Sequence, residues 1–120
     1  MKPIKIFSST NSIKLTELTS YLGHPFDTMV KFVVDIKQNL IAFGGEMHAD
    51  AEKVLLENGS IQEDLWGANI YPEKKSEDWL EYTSLINIRP SANNMSMELQ
   101  SNELKELVST IINEVVPVNE

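Results

Sequence analysis

Glu46, His48, Asp50 and Glu52 follow the pair Gly44-Gly45 at alternate positions, where a strand gives way to a helix. A neutral imidazole with carboxylates suits zinc, manganese or iron, and the same groups can move protons as general acid and base. On an extended segment Glu46, His48 and Asp50 share one face. On a helix, residues two apart fan by about 200°, whereas His48 and Glu52, four apart, return to one face and can reach one metal ion. His48 and Glu52 are therefore the metal-ligand candidates. A second dense segment, Ile86-Asn87-Ile88-Arg89-Pro90, holds the sole arginine of the chain. Its planar guanidinium can clamp a carboxylate or phosphate through two parallel hydrogen bonds. Asn69 and Asn87 add amides that can hold a ligand or a water.

Each of these groups also has a simpler structural reading. Acids at a helix start offset the unpaired N–H groups and the macrodipole. Gly44-Gly45 can merely allow a tight turn. Arg89 can pair with an acid, Glu46 or Asp50 being the expected partners, and strand asparagines commonly bond to loop backbone. No nucleophile elbow, phosphate-cradling glycine loop, HExxH helix or dinucleotide fingerprint is present.

The elements that would position these groups can be read from periodicity. Ile4–Ile6 is a candidate short strand. Thr10 or Asn11 can cap a helix over Ser12–Leu22 that Gly23 stops. Met29–Ile36 is β-branched and aromatic, turns at Lys37-Gln38-Asn39 and returns over Leu40–Phe43 as a hairpin. Ala49–Glu57 reads as a helix ending at Asn58-Gly59. Leu65–Tyr71 and Leu80–Arg89 read as a second hairpin across the charged loop Pro72–Asp78, closed by Pro90. Centred near Asp78, that hairpin pairs Asn69 with Asn87 and Gly67 with Arg89. It then gathers Asn69, Asn87, Arg89 and Tyr71 on a polar face, away from Trp66, Ile70, Ile86 and Ile88. Ser91–Gln100 is a polar loop, in which Met95 and Met97 are expected to pack. Trp66 is a core residue; Trp79, in Glu77-Asp78-Trp79, is harder to bury. The last helix, capped by Ser101 and stopped by Pro117, carries the clearest apolar stripe: Leu104, Leu107, Val108, Ile111, Ile112, Val115 and Val116.

Residues 1–120 are expected to form a single α+β domain, with an antiparallel sheet of about four strands in two hairpins and helices packed on one face. A chain of 120 residues supports one core without staples, and this one has no cysteine. That composition is compatible with a reducing cytoplasm, the expected location. Met1–Lys5 is basic, but Ser8, Ser9, Thr10 and Asn11 break the apolar stretch after it, so no secretory leader is read. No window reaches the roughly 18 apolar residues of a membrane span. A net charge of -8, with only Lys74-Lys75 adjacent among the cations, disfavours nucleic acid as a partner.

The blocks Gly44–Asp50, Asp64–Pro72 and Ser84–Pro90 together resemble an uncharacterised family of small bacterial proteins of unknown function. The resemblance implies a stand-alone domain and supplies no activity. The leading functional expectation is a non-enzymatic binding or interaction domain that uses the polar sheet face and adjoining loops. Its candidate residues are Glu46, His48, Asp50, Asn69, Asn87 and Arg89. The alternative is a small metal-assisted hydrolase or acid–base enzyme built on Glu46, His48, Asp50 and Arg89. No cofactor is expected. A protein partner, a small ligand and a homodimer are the partners left open.

Overall fold

Val33 and Val34 are neighbours in one strand and both are fully buried. Successive strand residues point to opposite faces, so the sheet must be covered on both sides. The computed structural model, which describes residues 2–117, shows how. In chain order the elements are β1 (Lys5–Phe7), α1 (Leu15–Thr19), β2 (Val30–Asp35), β3 (Leu40–Phe43), α2 (His48–Glu57), β4 (Leu65–Ile70), β5 (Leu80–Glu81) and α3 (Asn102–Val115). The strands form a five-stranded antiparallel sheet in the order β1-β3-β2-β4-β5. The short N-terminal strand pairs with β3 and supplies the fifth member beyond the expected two hairpins.

One face carries Phe7, Val30, Phe32, Val34, Phe43, Trp66, Ala68 and Ile70, packed beneath Leu18 of α1 and Val108, Ile111, Ile112 and Val115 of α3. The other carries Val33, Ala42 and Leu65 beneath Ala51 and Leu55 of α2. The expectation of helices on one face only is therefore wrong, because α2 covers the side expected to be polar and free. The final helix starts as its sequence indicates, with the Ser101 hydroxyl accepting from the Leu104 N–H at 3.2 Å. Its stripe is narrower than expected: Ile111 is 1% exposed but Leu107 is 39% exposed. Trp79 is buried in the main core, 2% exposed, despite its charged neighbours. Met95, at 64% exposed, does not pack as expected.

The first helix is shorter than Ser12–Leu22 and starts after Lys14 without a side-chain cap. Ser8, Thr10 and Asn11 instead bond among themselves in a closed turn. Such short polar side chains compete with helix formation by satisfying local backbone.

The largest departure comes after Glu81. Leu80–Arg89 is not one strand: the ladder pairs Asn69 with Glu81 and Ile70 with Leu80, then ends. The pairing of Asn69 with Asn87 does not occur. Ser84 accepts from the Ile86 N–H at 3.2 Å and starts a 3₁₀ turn over Leu85–Asn87. A second turn spans Pro90–Ala92. The buried Asn87 side chain then takes the place of a strand residue. It accepts from the Gly67 N–H and donates to the Gly67 carbonyl, both at 2.9 Å. Gly67 has to be glycine here, since a Cβ would lie 2.7 Å from Ser84 Cβ. Ile86 consequently packs on the α2 side, and Ile88 is 47% exposed, rather than both joining Trp66 and Ile70.

Candidate functional site

On the β5 side of β4 the ladder reaches only Asn69 and Ile70, so Gly67 and Ala68 have no strand partner there, and Ala68 lies against the first residue of α2. Gly44 and Gly45 make this approach possible. Both have positive φ, +111° and +94°, a region that L side chains rarely adopt, and they swing the chain from β3 into the helix. Asp50 then accepts from the Met47 N–H at 3.1 Å and closes the helix start. Asp50 is exposed and serves the cap. His48 turns inward and is 7% exposed.

Between the α2 start, β4 and the Thr83–Ile86 segment opens a pocket of about 240 Å³. Its apolar wall is Met47, Ala49, Leu85, Ile86 and Met97; its polar groups include Lys31, Glu46, His48 and Asn69. Met47, Leu85 and Met97 remain 55%, 64% and 40% exposed, forming an apolar rim.

His48 Nε2 lies 2.8 Å from the Ala68 carbonyl oxygen. A carbonyl only accepts, so Nε2 carries the proton of the neutral ring and Nδ1 is left as an acceptor. Burial pushes the His48 pKa down to about 4. The Lys31 charge adds to this, against the hydrogen bonds that the Ala68 carbonyl and the Asn69 side chain offer the charged ring; the neutral ring makes only the one to Ala68. A base this weak is poorly matched to proton abstraction near pH 7.

Asn69 is 5% exposed. Its Nδ2 donates to Glu81 Oε1 at 2.9 Å and to the Thr83 carbonyl at 3.4 Å. Two acceptors on that side set the amide's orientation, since a flipped amide would face oxygen with oxygen. Asn69 Oδ1 is left buried with no hydrogen-bond partner among the described residues. Lys31, half-buried beside it, places its ammonium 5.1 Å from the Phe26 ring centre. Burial lowers the Lys31 pKa, and Glu81 partly offsets this.

The other expected residues lie elsewhere. Arg89 stacks 4.2 Å from the Trp66 ring centre and donates to the carbonyls of Leu65, Glu63 and Ile86. It does not meet Glu46 or Asp50. The turn at Leu85–Asn87 carries Arg89 back to the Leu65 end of β4. His48 sits against Ala68, three residues on, which is about 10 Å along a strand. Arg89 borders a separate cleft with Glu52 and Glu63. Burial lowers its pKa and the nearby Glu52 raises it. Asn87 is fully buried, and its amide is used on both sides, by Gly67 and by the Met97 carbonyl. His48 and Glu52, the pair of metal-ligand candidates, line different clefts. Among the described residues no three His, Asp or Glu side chains come together as metal ligands. Periodicity did not point to Lys31, Met47, Leu85 or Met97. Met97 was expected only to pack within its polar loop, and Lys31 left a trace as the sole cation inside the apolar run Met29–Ile36.

A family model described as "Protein of unknown function (DUF5674)" matches residues 7–115. No curated protein and no solved structure matches the chain.

Proposed function

We propose a binding function for this chain, which belongs to the DUF5674 family of proteins of unknown function and takes no activity from that membership. The pocket at the α2 start holds a small, largely apolar molecule that donates a hydrogen bond, and the chain does no chemistry on it. The observation that carries this reading is Asn69 Oδ1, buried beside an apolar wall without a partner. A buried acceptor left unmade costs about 1–3 kcal/mol, which a ligand's donor would recover. Exposed Met47 and Met97 at the rim are side chains that adapt to varied apolar shapes.

The hydrolase alternative needs Glu46, His48, Asp50 and Arg89 in one place. They are divided between the pocket, a helix cap and the Trp66 edge. The weak basicity of His48 also favours binding over acid–base chemistry.

Screening ¹⁵N-labelled protein by NMR against a library of small fragments, neutral and charged, tests the reading. Hits should move the amides of Ala49, Asn69 and Thr83 together, and Leu85→Glu should abolish those shifts while the remaining spectrum is kept. Fragments that bind only elsewhere, or none that bind at all, would sink it.

A further inference from the structure

Resting on that pocket reading, we infer that the ligand is a small carboxylic acid with an apolar body and an O–H or N–H donor next to the carboxylate. N-acylated and 2-hydroxy acids with a branched apolar side chain are the class.

The charge requirement comes from Lys31. The chain has 18 acids, yet among the described residues the sole ion pair is Lys105–Glu98, at 3.2 Å. Lys31 is half-buried at the pocket with no carboxylate in contact. The acids near it are otherwise placed. Glu81 Oε1 accepts from Asn69 and from the Tyr71 hydroxyl, and Glu46 is exposed at the rim. The same pocket receives the N-terminus of the 10-residue helix α2 through Met47, His48 and Ala49. A helix N-terminus favours an anion, and a half-buried ammonium gains from one.

The donor requirement comes from Asn69 and is independent of the charge. Lys31 and Asn69 are directly paired across β2 and β4. Their Cβ atoms are therefore about 5 Å apart on one face. The Lys31 ammonium rests 5.1 Å from the Phe26 ring centre, and because both side chains line the pocket from paired positions, one small acid can span Lys31 and Asn69. Met47, Leu85, Ile86 and Met97 then take the apolar body. At about 240 Å³ the pocket lies below the roughly 300–1,000 Å³ of drug-sized sites, which suits an amino-acid-sized molecule and not a nucleotide or a long acyl chain.

Three probes separate these requirements: N-acetyl-leucine, its uncharged relative N-acetyl-leucinamide, and 4-methylpentanoate, which lacks the donor. Each is titrated into ¹⁵N-labelled protein while the Lys31, Ala49, Asn69 and Thr83 amides are followed. N-acetyl-leucine should bind about tenfold more tightly than either of the others, the effect of one charge-assisted or one buried hydrogen bond. Lys31→Met should weaken N-acetyl-leucine by about tenfold, leave N-acetyl-leucinamide unchanged and keep the spectrum dispersed, and Lys31→Arg should restore most of the loss. Equal binding of acid and amide, or indifference to Lys31→Met, overturns the acid assignment and leaves the pocket reading standing. So does silence of all three probes where the fragment screen finds another ligand at this site. Silence in both experiments overturns the pocket reading as well.

Discussion

His48 titrates under the control of its neighbours, and those neighbours are not the ones its sequence surroundings suggest. Glu46, Asp50 and Glu52 lie nearest in sequence, yet its pKa is depressed by burial and, after it, by the Lys31 charge. Removing that charge in Lys31→Met should raise the His48 pKa above about 4, while burial keeps it below the ordinary 6.5. Arg89→Ala should leave it unchanged, because the guanidinium is held at the Leu65 end of β4. An NMR titration of the His48 ring in both variants checks this. A shift with Arg89→Ala and none with Lys31→Met would contradict the geometry.

At the scale of elements, Asn87 stands in for a strand that stops early. Its amide holds both polar groups of Gly67 and the Met97 carbonyl. Asn87→Ala would leave the Gly67 N–H and carbonyl buried without partners, and should cost about 2–4 kcal/mol, as unsatisfied buried groups do. Urea unfolding gives the loss, and faster hydrogen exchange at the Gly67 amide would locate it. The last helix makes a second contrast. Ile111→Ala, at a fully packed position, should lose about 2–5 kcal/mol. Leu107→Ala, on the exposed flank, should lose less than about 1 kcal/mol. Equal losses would mean that α3 is rotated relative to the sheet.

For the molecule as a whole, the buried imidazole makes stability depend on acid. The folded pKa of about 4 lies below the ordinary 6.5, so the unfolded chain binds the proton more readily. The stability is intact above the unfolded value and is lost as pH falls from about 6.5 toward about 4, by up to about 3 kcal/mol at the lower end. His48→Gln can keep a donor toward Ala68 without this titration. Its stability, from urea melts at a series of pH values, should fall by correspondingly less over that window. Parallel declines in the two proteins would show that other groups dominate. Among the described residues no helix is long and apolar enough to cross a membrane.

Local patterning by itself determined the mixed helix and sheet class, the hairpin of β2 and β3, the helix after Gly45, the strand at Leu65 and the capped helix at Ser101. These depend on side-chain period, turn residues and caps, which act over a few positions. Tertiary structure alone decided that α2 covers the second face of the sheet, since an apolar stripe does not say which side it will bury. It also ended β5 at Glu81. The alternation from Tyr82 to Ile88 is sound strand grammar, but Ser84 and Asn87 offered backbone partners that outcompeted the ladder. That early exit opens the pocket beside Asn69 and takes Arg89 away from it. Lys31, Asn69, His48 and Leu85 are 54 positions apart at their extremes and meet only through strand pairing and a turn, so no spacing along the chain could have grouped them.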